Sequence, residues 1–443
     1  MANLPWVVNA YTLTFGGFLM LGGRAGDLIG RKRLFAAGVA LFAFASMLNG
    51  LAQSPAMLVA GRGLQGLGGA LLSPAALSII TTTFTDTSER TRALGVWSAI
   101  AAGGGAAGLL VGGALVDLAS WPWIFFVNVP VGIATLALTL RFIPESRANL
   151  SHRTFDLLGA VTVTAGLVVV VYAIIKAQAF GWGSARTIGL ISAGAALLAA
   201  FVAIERRSPA PLLPLGIFRI RTLAVADGVL LLVASGLFGM FFFASLYVQE
   251  ILGYSPLKAG LAFLPVTAGI VVGAGLAQQL IRRLGVRNVS VVGIALGAAG
   301  LVVLTQLPVH GSYATDLLPG LLPLSIGLGL TFVPITLLAT GGVKGDDAGV
   351  ASGLFNTAQQ VGGALGLAIL STLAADRTSS LVHTLGAGAT RAAVLAARVS
   401  GYHVAFAAAA IMLGAGAVIM ATMLRARHLR GLELEASPAA LAA

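Results

Sequence analysis

Residues 231–247 read LLVASGLFGMFFFASLY, an apolar run without the alternation of a half-exposed strand. In water a helix of this composition would lack a solvated face. In lipid it needs none, because a helix satisfies its own backbone groups. About 20 such residues cross a ~30 Å hydrocarbon layer, and comparable runs recur along all 443 residues. The chain is 58% apolar and only 9% charged, with a mean hydropathy of +0.95. Soluble domains carry roughly 25% charged residues, so a water-soluble fold is excluded. A transmembrane barrel needs alternating ten-residue segments, which these runs are not. The chain reads as an all-α polytopic membrane protein.

Thirteen spans are expected, at 5–22, 34–52, 57–83, 94–117, 123–142, 157–178, 187–204, 223–249, 257–281, 288–307, 316–341, 349–373 and 402–424. The opening MANLPWVVNAYTLTFGG has no basic start and no small-residue cleavage site, so it reads as a retained helix. Basic residues divide unevenly between alternate loops: twenty, including Arg24, Arg31, Lys32, Arg33, Arg282, Arg283 and Arg287, face one side and six the other. The positive-inside rule then places the C-terminus in the cytoplasm and the N-terminus outside. Arg62, the remaining cation, falls inside a span.

The net charge of +12 sits in short loops without interleaved aromatics, which argues against nucleic acid as a partner. Zero cysteines exclude disulfides and thiolate chemistry. The histidines at 152, 310, 383, 403 and 428 lie far apart, in expected loops or helix ends, so no metal site or other cofactor is expected. Gly61, Gly63 and Gly66 spell GxGxxG, but no strand precedes them. They read as points of close helix approach rather than a nucleotide cradle. With no nucleophile set, metal cluster or P-loop, the chain is not expected to be an enzyme.

Two tight basic turns suggest an internal repeat of the kind found in transporters: GGRAGDLIGRKR at 22–33 and AQQLIRRLGVR at 277–287, the second with Arg282 in the place of Asp27. Six spans run from span 8 to the end, and a matching first half would need one more helix before Met1. The reading is a fourteen-helix protein with its first helix absent here; the competing one is a genuine thirteen-helix protein.

These motifs resemble the major facilitator superfamily. GGRAGDLIGRKR is similar to its cytoplasmic signature, with Gly23, Asp27, Gly30, Arg31 and Lys32 in place, and LVAGRGLQGLGGA at 58–70 to the next, with Arg62, Gln65 and Gly66. WPWIFFVNVPVG (121–132), FDLLGA (155–160), ERRSPAPLLPLGIFRIR (205–221) and ASGLFNTAQQVGGALG (351–366) resemble its fourteen-helix drug:proton antiporter branch, which is EmrB/QacA-like. Against the antiporter signature, Leu109 stands where a proline is expected, although Gly104, Gly108, Gly112 and Gly113 remain. The acid usual on the branch's first helix has no counterpart.

The resemblance implies a two-bundle fold with a two-helix central insert: an N-terminal bundle at 1–142, insert and linkers at 143–221, a C-terminal bundle at 222–425 and a cytoplasmic tail at 426–443. It implies a monomeric multi-pass transporter of the plasma membrane, a proton-driven exporter of hydrophobic or amphiphilic drugs working by alternating access. The alternatives are a symporter or facilitative metabolite transporter of the same fold, and a truncated, non-transporting membrane protein. Arg62, Asp227, Asp27, Arg31 and Lys32 are the residues expected to couple or gate. For Arg62 the structural alternative is an anchor on carbonyls near the cytoplasmic half. Asp27 could instead cap the following helix. Asp227, the only acid placed clearly within a span, could exchange a proton, or stay at the cytoplasmic interface or pair with Arg221, and Asp117 and Glu250 are rim acids that could attract cations. Asn356, Gln359 and Gln360 share one helical face. With Asn9, Tyr11, Thr12 and Gln65 they either line the substrate cavity or join helices. Phe238, Phe241, Phe242, Phe243 and Tyr247 form an aromatic belt, from which Phe242 is a candidate to stack on substrate.

Overall fold

The computed structural model describes residues 4–84, 89, 93, 104, 107–108, 110–146, 156–209, 211–340, 348–385 and 390–424. In chain order the helices are α1 (Leu4–Ile29), α2 (Arg31–Gly50), α3 (Pro55–Thr83), α4 (110–118), α5 (Trp123–Phe126), α6 (Asn128–Phe142), α7 (Leu157–Phe180) and α8 (Ala185–Arg207). They continue with α9 (Arg221–Leu246), α10 (Pro256–Ala262), α11 (Leu264–Leu304), α12 (Leu318–Thr340), α13 (Ala348–Leu385) and α14 (Arg391–Met423). Among the described residues no strand occurs, and ten helical segments are long and apolar enough to cross a membrane. One of these, Pro256–Leu304, spans two of the expected crossings in a single run. It turns at Gly285, whose backbone takes φ 77 and ψ 158.

Contacts divide the chain into two units. The first comprises residues 1–173, 188–214 and 255–261; the second comprises 174–187, 215–254 and 262–443. In the first, α3 packs on both α1 and α2, and glycine makes the approach possible. A Cβ on Gly38 would meet the backbone of Leu72 and Gly68, and one on Gly22 the carbonyl of Ala70. In lipid the drive for helix association is van der Waals contact, which small residues improve by bringing backbones together. The second unit repeats the device between α11 and α12, where Gly293 faces the carbonyl of Gly327, and Gly300 that of Gly320. There α9 packs on α13 and α14, burying Val229, Leu230, Val233 and Phe243.

Several boundaries differ from the expected ones. The span at 123–142 is two helices, α5 and α6, meeting at Val127. α13 and α14 run well beyond 373 and start before 402, so Asp376, Arg377 and Arg398 stand on helices rather than in a loop. His403 is accordingly in mid-helix, its Nε2 2.7 Å from the Leu307 carbonyl oxygen. Helix α8 reaches Arg207, which puts Glu205 inside it and buried, so Asp227 is not the only acid within a span. Most of the expected span at 94–117, with Leu109, lies outside the described residues.

Candidate functional site

In the first unit, the side chain of Arg62 is held from three directions. Its Nε donates to the Val7 carbonyl at 2.8 Å, its Nη1 donates to Gln65 Oε1 at 2.5 Å, and its guanidinium carbon lies 4.4 Å from the centroid of the Tyr11 ring. Gln65 carries the network on: its Oε1 also accepts from Asn49 Nδ2 at 3.2 Å and its Nε2 donates to Ser46 Oγ at 2.7 Å. Ser46 and Asn49 are fully buried and Gln65 nearly so. Gly61 and Gly66 make room for this arrangement, since a Cβ on Gly61 would strike Asn49 Oδ1 and one on Gly66 would strike Thr14 and the Tyr11 carbonyl. The GxGxxG is thus a helix-packing feature, and Gln65 is an interior clamp on Arg62.

Val7 is in the first turn of α1, whereas the basic turn follows its last residue, Ile29. The anchor of Arg62 is therefore at the opposite end of α1 from the basic turn. Among the described residues no carboxylate pairs with it. Its charge is balanced by a carbonyl, an amide oxygen and a ring face, in a segment where an ionised side chain is costly. Asn9, two residues beyond Val7, is fully buried with neither amide atom hydrogen-bonded. Thr12 bonds back to carbonyls of its own helix.

The basic turn is built on Gly30, at φ 122. Arg31 donates its backbone N–H to the Ser146 carbonyl at 3.0 Å, and Lys32 donates its own to Glu145 Oε1 at 3.2 Å. Lys32 Nζ reaches the Leu140 carbonyl at 2.9 Å, at the end of α6, and Arg33 lies 3.6 Å from Glu145 Oε2. Glu145 is thus the turn's acidic partner, missed in the sequence because it follows the last residue of α6 with no motif of its own. The Asp27 side chain lies outside the described ones. Gly23 is near Pro74 at ordinary contact distance. Of the motif glycines, Gly104, Gly108 and Gly112 face open space, and a Cβ on Gly113 would meet the Pro256 carbonyl at 2.7 Å.

In the second unit, Asp227 is 5% exposed and neither of its carboxyl oxygens is hydrogen-bonded. Arg221, its expected partner, instead donates Nε to the Met423 carbonyl at 3.0 Å, which corrects that pairing. A carboxyl in such a place is an acceptor for a proton or a cationic group. The rim acids are committed elsewhere: Asp117 Oδ2 accepts from Ser255 Oγ at 2.7 Å and the Leu257 N–H at 2.9 Å, capping α10. Glu250 Oε2 accepts from Arg398 at 2.8 Å and from the Tyr402 hydroxyl at 3.1 Å. Neither is a free rim charge.

Asn356 is exposed and donates to the Ser352 carbonyl one turn back, so it joins no helices; Gln359 and Gln360 are half-buried, and Gln360 Oε1 has no partner. The aromatic belt is divided between core and half-exposed positions. Tyr247 is fully buried and donates to the Pro308 carbonyl, and Phe243 packs against Tyr402 and Phe406. Phe241 and Phe242 are half-exposed.

Residues 2–367 match the family model described as Major Facilitator Superfamily. The chain belongs to the major facilitator superfamily. It is 41% identical over 425 residues to the puromycin resistance protein pur8 of Streptomyces alboniger, covering 95% of this chain and 84% of that one. It is 40% identical over 381 residues to the cephamycin export protein CmcT of Amycolatopsis lactamdurans, covering 85% and 78%. Among solved structures, an inward-facing bacterial homologue of the human lysosomal transporter Spinster superimposes with a TM-score of 0.62 at 16% identity, over 99% of this chain and 97% of that one. At that identity the superposition speaks for the fold alone, a major facilitator-type helical fold of two bundles.

Proposed function

We propose that this superfamily member is a proton-driven exporter of hydrophobic or amphiphilic small molecules, of the drug:proton antiporter branch. It would sit in the plasma membrane as a monomer with its C-terminus in the cytoplasm, and work by alternating access between bundles at 1–142 and 222–425. Its relatives' names, puromycin resistance and cephamycin export, support export of small organic molecules. The observation that carries the coupling is Asp227, buried with both oxygens unpartnered. A proton arriving there can be exchanged for substrate, and each charge crossing 100 mV supplies about 2.3 kcal/mol. Arg62, locked by Val7, Gln65 and Tyr11, is the fixed cation of the other unit.

The test uses inside-out vesicles with an acid interior and a pH probe, with puromycin, a hydrophobic cation or a neutral amphiphile added outside. Substrate-dependent proton release is expected, and Asp227→Asn should abolish it while leaving the protein folded. Substrate uptake without proton release would overturn coupling and favour a facilitative transporter. Release that survives Asp227→Asn would place the coupling group elsewhere.

A further inference from the structure

The family motifs FDLLGA and ERRSPAPLLPLG meet in the structure through two acids with no part in the transport reading. Asp156 caps α7, its Oδ1 accepting the Gly159 N–H at 2.7 Å. Glu205, near the end of α8, accepts the Leu213 N–H on Oε2 at 3.1 Å. The residues are 7% and 4% exposed, and the second oxygen of each, Asp156 Oδ2 and Glu205 Oε1, has no hydrogen-bond partner. A Cβ on Gly159 would lie 2.9 Å from Asp156 Oδ1 and 2.9 Å from Glu205 Oε1, so those two oxygens are no more than about 6 Å apart, well inside the range of strong like-charge repulsion.

Among the described residues, no cation forms an ion pair with either carboxyl. Helix α8 carries Arg206 and Arg207, and Arg207 lines the same cavity of about 610 Å³ as Asp156, yet neither forms an ion pair with the carboxyls among the described residues. Helix α1 and the linker contribute Leu21 and Leu212, with Phe18 and Met20 against them, an apolar floor. Arg24, further along α1, lies outside the described side chains. Two buried carboxyls this close disfavour carrying two charges together.

We propose that Asp156 and Glu205 form a protonation site that takes up a single proton between them and so relieves the repulsion between the start of α7 and the end of α8. The unpartnered oxygens, Asp156 Oδ2 and Glu205 Oε1, are the ones open to a proton, and each remaining oxygen keeps its backbone N–H. The site is separate from Asp227 and does not depend on the transport reading. Being at the end of the insert that adjoins Arg206 and Arg207, it would report the pH of the side those basic residues face.

The full-length protein, purified in detergent with Asp227→Asn as the background, is melted between about pH 5 and pH 8. A proton bound in the folded state and not in the unfolded one stabilises at low pH, and its contribution is lost as pH rises through the site's own titration. The Tm is therefore expected to fall toward the alkaline end. Glu205→Gln, which removes one of the two charges at every pH, should flatten that fall and match or exceed the parent at the alkaline end. Asp156→Asn, which retains the cap to Gly159, should flatten it too. Infrared spectra at neutral pH should lose one protonated-carboxyl band in either variant. Gly159→Ala, which wedges a methyl against both carboxyls, should lower Tm throughout. A slope and a carboxyl band unchanged in both Glu205→Gln and Asp156→Asn would overturn the proposal.

Discussion

The two basic turns, 22–33 in the first unit and 277–287 in the second, are built alike and charged differently. Each bends at a glycine with positive φ, Gly30 at 122 and Gly285 at 77. Two residues on, each sends a cation to the end of another helix: Lys32 Nζ to the Leu140 carbonyl of α6, and Arg287 to the Ala421 carbonyl of α14. Gly38 and Gly293, at matching distances beyond, both sit where a Cβ would strike a facing glycine's carbonyl, that of Gly68 or of Gly327. The difference is acid. Glu145 receives the Lys32 N–H and pairs with Arg33, whereas among the described residues no carboxylate meets Arg282, Arg283 or Arg287. The lesson is that backbone geometry and the cation at a helix end carry the repeat, while the acidic partner is an addition to one copy.

The comparison can be broken most forcefully at its glycines. Backbone in these regions costs a residue with a Cβ about 1–3 kcal/mol, and at Gly30 the added methyl also meets the Glu145 carboxylate. Gly30→Ala should lower the Tm of the purified protein more than Gly285→Ala; equal losses would mean that Glu145 yields freely. A smaller effect is expected at the cations. Arg287→Met and Lys32→Met each remove one hydrogen bond to a helix end, worth about 1 kcal/mol, with the half-buried Arg287 the more costly by thermal melting. A larger loss at Lys32 would show that the acid-backed turn is the tighter one. Least of all should follow from Arg282→Asp, which gives the second turn the residue type of Asp27. At an exposed position the change should stay within about 0.5 kcal/mol, and a marked gain in Tm would mean that the second turn lacks an acid it can use.

Much of the candidate site was legible one residue at a time. Arg62 stood out as a cation inside an apolar run, and Gly30 as the glycine of a turn too tight for another residue. Their partners did not stand out. Val7, Ser46 and Asn49 are ordinary residues of other helices, and nothing in their own neighbourhoods marks them as ends of hydrogen bonds to Arg62 and Gln65. Asn356, Gln359 and Gln360 were placed on one face by helical spacing, but spacing does not say what that face meets, and Asn356 is exposed. Glu205 falls one residue beyond the apolar run at 187–204, where composition fades into the flank and a helix end in lipid is decided by packing as much as by composition.

Sequence alone determined that this chain lies in a membrane as helices, because too few charges exist to cover a soluble surface and only a helix satisfies its backbone in lipid. It also determined the repeat and the family, since both rest on residues that are local to a turn. Tertiary structure decided which carboxyls are alone. Whether Asp117, Glu250, Asp227 or Glu205 finds a donor depends on atoms brought in by the folding of other segments: Ser255, Arg398, nothing and Leu213 respectively. A charge in a low-dielectric interior takes its chemistry from such partners, and they are known only once the helices have packed.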